Sequence, residues 1–320
     1  MTFRVLVADA LDEEGLKIFR QSSSVELEVK VGMKPAELCE ILPRFDGLVV
    51  RSATQVDAKV IAAGSKLQII GRAGIGVDNI DVPAATRAGI VVMNTPDANA
   101  TTTAEHALAL IFAMARQVPQ ADASMKAGKW DKKRFVGREL RGLTLGVVGA
   151  GNIGRLVAER AQALKMRVVV HDPYIKPEAA KQAGWQLMDL DALLATSDIL
   201  TVHTPLNDHT RGLINAKSVS KMKKGIMVVN CARGGIYDEQ ALLAGLEEGT
   251  IAAAALDVFV KEPPAADDPL VRHPNVICTP HLGASTREAQ VLVSPAIAEQ
   301  MVAYAKDRTV RNAVNTPKPR

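Results

Sequence analysis

Residues 143–174 read LTLGVVGAGNIGRLVAERAQALKMRVVVHDPY, and the fold follows from this stretch. Thr144–Val148 is a short apolar run rich in β-branched residues, the pattern of a parallel strand buried on both faces. Three glycines follow as G-x-G-x-x-G: Gly149, Gly151 and Gly154. Ile153–Leu164 then carries the apolar spacing of an amphipathic helix, and Arg167–Val170 is a second apolar strand ending in His171-Asp172. Gly149 allows a sharp turn out of the strand, Gly151 allows a pyrophosphate to approach the backbone, and Gly154 allows the helix to pack on the strand. Phosphates then lie at a helix N-terminus, where free N–H groups and the helix dipole favour negative charge. Asp172 falls about twenty residues past the glycines, where a carboxylate accepts from ribose hydroxyls and repels the extra phosphate of NADP. A glycine motif alone is also what an ordinary turn looks like. Strand, glycines, helix, strand and acid in this order point to a dinucleotide site selective for NAD.

The remaining composition narrows the class. A chain of 320 residues with 48% apolar residues can bury one large or two ordinary cores. A formal net charge of +4 is too small to argue for nucleic acid as the main partner. Cys39, Cys231 and Cys278 form an odd set without C-x-x-C spacing, which fits a reducing compartment and gives neither a disulfide framework nor a metal site. MTFRVLVADA begins directly with a strand pattern rather than the apolar core of a signal peptide. The longest apolar run, Ala107–Ala115, is too short to span a bilayer. A cytoplasmic enzyme without membrane contact is expected.

The first part of the chain alternates strand and helix. Strands are expected at Val5–Ala8, Leu27–Val31, Gly47–Val50, Leu67–Gly71 and Ile90–Met93, with helices at Asp12–Arg20, Pro35–Leu42, Asp57–Ala63 and Val82–Ala88. Thr101-Thr102-Thr103 is expected to cap a long helix, Ala104–Gln117, apolar almost all round as for burial between domains or subunits. A basic connector from Lys126 to Arg141 follows and reads as a solvated loop. After the glycine motif, strands are expected at Ile199–Val202, Met227–Val229, Ala252–Leu256 and Val276–Cys278, and a last helix at Ser285–Ala305 leads back to the first part. The tail after Arg308 reads as polar and frayed. The pattern is α/β, with two doubly wound parallel-sheet domains: 1–98 with 285–320, and 99–284.

Ligands of open α/β sheets collect at the carboxyl ends of the strands. Those ends here carry His171-Asp172, His203-Thr204-Pro205, Asn230-Cys231-Ala232-Arg233-Gly234-Gly235, Asp257 and Thr279-Pro280-His281. The planar guanidinium of Arg233 suits a substrate carboxylate, and the two glycines after it suit close approach of a ligand. An imidazole moves protons near neutral pH, but His203 and His281 both end strands, and spacing does not separate them. Glu262 in VFVKEPP suits a partner for an imidazolium or an ordinary surface charge.

The runs VVNCARGGIYDEQALLAGL, ALDVFVKEPP and PHLGAST resemble the catalytic segments of the D-isomer-specific 2-hydroxyacid dehydrogenases. VRSATQVDAKVI, GRAGIGVDNIDVPAATRAGIVVMNTPDANATTTAEHALAL and ASMKAGKW extend the resemblance over nearly the whole chain. It implies a Rossmann NAD-binding domain inserted in a split, flavodoxin-like substrate domain. It implies Arg233 as carboxylate ligand, His281 as general base and Glu262 as its partner. Asn152, Ile153, Asp172, Thr204, Cys231, Ala232 and Asp257 would line the cofactor site beside the three glycines, Arg233 and His281, with Gly283 and Ala284 near the nicotinamide. The substrate implied is 3-phospho-D-glycerate, oxidised to 3-phosphohydroxypyruvate in the first step of serine biosynthesis. Arg51 and Arg72 would hold its phosphate, joined by Lys132 and Arg134 reaching from a neighbouring subunit of a homodimer or homotetramer. A glyoxylate or hydroxypyruvate reductase, another 2-hydroxyacid dehydrogenase and an NAD-binding corepressor are the alternatives. Many relatives acting on the phosphorylated substrate continue past this chain's Asn315 into regulatory domains, one of which binds serine.

Overall fold

A computed structural model describes residues 2–96 and 99–318 and divides the chain into two compact units, 1–99 with 284–320 and 100–283. The first unit holds a parallel sheet of β1 (Phe3–Val7), β2 (Val25–Val29), β3 (Gly47–Val50), β4 (Ile69–Arg72) and β5 (Val91–Met93) in the order 2-1-3-4-5. Alternate residues along a strand face opposite sides. Leu6, Leu48 and Ile70 therefore pack with Leu38, Val60 and Ala85 of the helices on one side. Val5, Val7 and Ile69 pack on the other with Phe19, Ile297 and Met301. Phe19 lies on the helix Glu13–Gln21, and Ile297 and Met301 on the helix Arg287–Asp307, so the last helix completes the first sheet.

The second unit holds β6 (Thr144–Val148), β7 (Arg167–His171), β8 (Gln186–Leu187), β9 (Ile199–Val202), β10 (Ile226–Asn230), β11 (Ile251–Leu256) and β12 (Val276–Cys278). Their order is 12-11-10-9-6-7-8, all parallel. Strand order reverses between β6 and β9, which makes the crevice beside them the topological switch point. Both sheets are doubly wound and parallel, the fold class expected from sequence; their strand orders are those of flavodoxin-like and Rossmann sheets.

Aspartates fix many helix starts. Asp12, Asp57, Asp81, Asp189, Asp238 and Asp268 each accept a backbone N–H of the first turn. Pro35 opens its helix and Asp81 caps the one containing Pro83, as their positions in sequence suggest.

Four expectations need correction. The long helix is Ala100–Ala115, so the three threonines lie inside its first turns instead of capping it. Ala104, Ala107, Leu110, Ile111 and Met114 are buried in the core of their own unit, so the helix spends most of its apolar surface there. A further helix, Val118–Lys126, whose residues are all at least partly exposed, leads into the connector, which is not all loop but holds a 3-10 turn at Lys132–Arg134. The tail docks on the edge of β5: Ala313 pairs antiparallel with Met93, and the Asn315 side chain accepts from Val92 N–H at 2.8 Å and donates to the Ile90 carbonyl at 2.9 Å. This covers backbone groups that an edge strand would expose. The expected boundary at residue 98 lies outside the described residues. Among the described residues no helix is long and apolar enough to cross a membrane.

Candidate active site

The glycine turn joins β6 to the helix Asn152–Ala163. Gly149 has φ +84°, and a Cβ there would stand 2.6 Å from the Thr204 methyl. A Cβ on Gly154 would stand 2.0 Å from the Gly149 carbonyl oxygen, so the helix can start over the turn only with glycine there. A Cβ on Gly151 would meet nothing within 4 Å. The space over Gly151 is where an approaching phosphate would lie.

Asp172, at the end of β7, accepts from Ala150 N–H at 2.8 Å and from Tyr174 N–H at 2.8 Å, one on each carboxylate oxygen. It therefore holds the glycine turn in shape, and each oxygen keeps a lone pair for a ribose hydroxyl. Thr204, at the end of β9, has a buried hydroxyl oxygen with no hydrogen-bond partner, which is costly unless a ligand supplies one. These features fit a dinucleotide. Asn152 and Ile153 form the first helical residues over the turn, and Ile153 also packs on the core. Cys231 and Ala232 follow β10 and are both buried, and burial pushes the Cys231 thiol far above its usual range. That thiol is inert wall, not a nucleophile.

His281 and Glu262 meet in the loops that follow β12 and β11 of the same sheet. His281 Nδ1 is 2.8 Å from Glu262 Oε2, and Glu262 Oε1 accepts from Phe259 N–H at 3.1 Å. The hydrogen bond to Glu262 raises the His281 pKa above its ordinary value; burial and Arg233 oppose that, and the Glu262 and Asp257 charges add to it. Burial alone would raise the Glu262 carboxyl, but the bonds from His281 and the Phe259 amide outweigh it and leave the carboxyl lowered. His203 differs. Burial pushes it down to about 4, and its Nε2 meets the Thr201 hydroxyl at 3.0 Å. It stays neutral at pH 7 and has no carboxylate bond of the kind His281 makes with Glu262.

Arg233 follows β10 in a turn set by Asn230, whose amide donates to the Arg233 carbonyl at 2.9 Å and accepts from Ala232 N–H at 3.0 Å. Its guanidinium donates to the Ala232 carbonyl at 2.6 Å. The first of the two glycines after it serves packing: a Cβ on Gly234 would stand 1.9 Å from the Phe259 carbonyl oxygen. Gly234 thus lets the arginine turn lie against the loop that carries Glu262, correcting the expectation that it opens room for a ligand. Asp257, at the end of β11, is buried and accepts from Leu282 N–H at 2.7 Å and Gly283 N–H at 2.8 Å. It shapes the His281 loop. Ala284 begins the return to the first unit.

In the first unit Arg72 is the last residue of β4, and Arg51 immediately follows its neighbour β3. Sequence reading missed the group that orders this edge. Asp9, buried at the end of β1, accepts from Arg51 N–H at 2.6 Å and from the Thr54 hydroxyl at 2.7 Å. Asn79 donates to the carbonyls of Arg51 at 2.8 Å and Thr54 at 2.6 Å. The signal available was an aspartate closing an apolar strand. The Arg51 guanidinium donates to the Ala10 carbonyl at 3.3 Å. That of Arg72 occupies the place a Cβ on Gly74 would need, 1.6 Å from Nη1. Lys132 and Arg134 are exposed on the 3-10 turn of the second unit. Among the described residues no three His, Cys, Asp or Glu side chains are grouped to hold a metal ion.

Residues 108–283 match the family model described as D-isomer specific 2-hydroxyacid dehydrogenase, NAD binding domain. Over 98% of its length the chain is 54% identical to D-3-phosphoglycerate dehydrogenase of Archaeoglobus fulgidus, covering 59% of that protein. It is 49% identical over 98% of its length to D-3-phosphoglycerate dehydrogenase of Synechocystis sp., covering 56% of that protein. The chain thus spans less than two thirds of either relative. A solved glyoxylate reductase from Paecilomyes thermophila is similar with a TM-score of 0.90 at 30% identity, covering 98% of both chains. With this sequence match spread over both units and a sheet order, glycine turn and strand-end acid that fit the cofactor, the chain belongs to the D-isomer specific 2-hydroxyacid dehydrogenases, and its residues 108–283 are their NAD-binding domain.

Proposed function

We propose that the chain carries out NAD-dependent oxidation of 3-phospho-D-glycerate to 3-phosphohydroxypyruvate. The observation that carries the chemistry is the 2.8 Å contact of His281 Nδ1 with Glu262 Oε2. With Nδ1 so engaged, Nε2 is the atom that takes the C2 hydroxyl proton, and Glu262 balances the imidazolium that forms. NAD, when bound, supplies the acceptor for the hydride leaving C2. Arg233 grips the substrate carboxylate with paired N–H donors and steadies the C2 oxygen. Gly149, Gly151, Asn152, Ile153, Gly154, Asp172, Thr204, Cys231, Ala232, Asp257, Gly283 and Ala284 form the cofactor side. Residues 99–284 are then the NAD-binding domain, and 1–98 with 285–320 the substrate-binding domain.

Choice of substrate rests on the two phosphoglycerate-dehydrogenase relatives and on Arg51 and Arg72 ending adjacent strands. The likeness to a glyoxylate reductase favours a second reading, a reductase of glyoxylate or hydroxypyruvate. NADH absorbance with a panel of phosphorylated and unphosphorylated 2-hydroxy and 2-oxo acids separates the two. A kcat/KM greater for glyoxylate than for the phosphorylated pair would replace the first reading by the second, and no turnover on any member would leave a binding module.

A homodimer is part of the proposal. Phe112, Val118, Met125, Trp130 and Val136 are exposed large apolar residues along one span of the second unit, Trp130 81% and Val136 77% exposed. A helix with no fully buried residue, beside such residues, fits the face of a second copy. Lys132 and Arg134 lie in the same span and would be carried to the partner's substrate. A cytoplasmic location fits the three free cysteines.

A further inference from the structure

We propose that His106 is a positioning residue for the catalytic loop, acting through Thr279 and Asp257 on the backbone that presents His281. The inference rests on His281 being the base. His106 lies in the helix Ala100–Ala115, outside every segment assigned to the reaction. Its Nε2 is 3.2 Å from Thr279 Oγ1 and 3.2 Å from Asp257 Oδ1. The Thr279 hydroxyl has a single proton, and at 2.6 Å it is committed to Asp257 Oδ1. Both oxygens facing His106 Nε2 are therefore acceptors, so Nε2 carries a proton and shares it between them.

The carboxylate they hold controls the loop. Asp257 has a fully buried side chain and receives Leu282 N–H on Oδ1 and Gly283 N–H on Oδ2, while its carbonyl accepts His281 N–H at 2.9 Å. His281 itself has φ +54°, a left-handed conformation unfavourable for a residue with a Cβ. Bonds on both sides of it maintain that conformation. A buried carboxylate missing a donor is costly and free to reorient. A turn of the Asp257 carboxylate would release Leu282 and Gly283, and the imidazole would leave its place. The same helix backs the loop sterically: a Cβ on Gly283 would stand 3.3 Å from the Thr103 methyl, and Thr103 is one turn before His106.

The test compares wild type, His106→Ala and His106→Gln, since the Gln amide restores a donor near the Nε2 position. Thr279→Val is a second probe that removes the hydroxyl at constant shape. Two readouts are taken: kcat and KM on the best substrate of the panel, and hydrogen exchange of the peptide containing Leu282 and Gly283. We expect His106→Ala and Thr279→Val to lower kcat about ten- to a hundredfold. KM for NAD should change less than kcat, since the glycine turn and Asp172 are untouched, and exchange at the loop should rise about tenfold. His106→Gln should recover most of both. Wild-type kcat in His106→Ala, unchanged exchange, or a Gln variant as impaired as Ala overturns the proposal. Exchange needs no substrate, so it decides the positioning role even if wild type turns over nothing, an outcome that would overturn the dehydrogenase reading instead.

Discussion

His281 and Glu262 share a 2.8 Å hydrogen bond across a gap of nineteen residues in sequence, from a loop after β12 to a loop after β11. The groups facing the imidazole are Glu262, Arg233 and Asp257, and the bond to Glu262 leads the others in raising its pKa above 6.5. In the proposed function, oxidation needs the neutral imidazole as acceptor. Its rate should therefore rise with pH through the raised value, while the reverse reduction, which needs the imidazolium, should fall through it. Glu262→Gln removes the partner charge and should move both limbs to lower pH. Profiles that coincide in wild type and variant would take Glu262 out of the chemistry.

The two strand-end histidines should separate cleanly. His281→Ala should lower turnover by about two to four orders of magnitude and leave NADH binding nearly intact. His203 is neutral across the working range, so His203→Ala should cost stability through lost packing while retaining most turnover. Imidazole titration by NMR checks the assignment independently: His203 should titrate near pH 4 and His281 above 6.5. Equal losses of turnover in the two variants would mean the wrong histidine has been assigned.

Asp172 shapes the glycine turn and, in the proposed function, also faces the ribose. Asp172→Ala should weaken both NAD and NADP because Ala150 N–H loses its acceptor. Asp172→Asn removes the charge and keeps an acceptor for one of the two N–H groups, so it disturbs the turn less and reads selectivity more directly. The preference for NAD over NADP should fall about ten- to a hundredfold in Asp172→Asn, the range of one charge-assisted hydrogen bond. Titration of each cofactor by fluorescence measures it, and a wild type that binds both equally would end the argument for NAD selectivity.

The parts of this molecule governed by local pattern were legible in the sequence. Apolar β-branched runs marked most strands, and the glycine turn is a local motif whose close contact at Gly154 fixes its spacing. Tertiary features were not. Gln186–Leu187 is too short to show alternation. VPQADASMK lacks an apolar stripe because no residue of its helix is fully buried. The tail is polar in sequence, yet Asn315 supplies hydrogen bonds that an edge strand needs. Asp9 and His106 act through partners 42 to 173 residues distant, and no spacing rule reaches that far.

The apolar span of the second unit should determine assembly. Trp130→Ser with Val118→Asp places polar groups where a second copy would bury apolar ones. Sedimentation should show wild type as a dimer or larger and the double variant as a monomer with an unchanged far-UV spectrum. If Lys132 and Arg134 serve the partner's site, the monomer should also lose affinity for the phosphorylated substrate. A wild type that sediments as a monomer at micromolar concentration would remove both statements.

The phosphate separates this chain's proposed substrate from the unphosphorylated acids of its relatives. A dianionic group requires several cations, and in the proposed function Arg233 is committed to the carboxylate. Arg51 and Arg72 sit at the ends of paired strands, where β3 and β4 run in register from Gly47 with Ile69 to Val50 with Arg72. Neither is loosely tethered at its backbone: Asp9 and Asn79 fix the Arg51 turn, and Arg72 belongs to the strand itself. That rigidity makes each guanidinium ready to bind without first ordering a loop. Arg51→Ala and Arg72→Ala should each raise KM for 3-phosphoglycerate with a loss of about 1.5–3 kcal/mol, roughly ten- to a hundredfold. Turnover of small unphosphorylated 2-hydroxy acids should change much less in both. The deciding quantity is the ratio of kcat/KM for the two substrate types. A ratio that stays at its wild-type value while both activities fall together would show that neither arginine reads the phosphate, and the reductase reading would then take precedence.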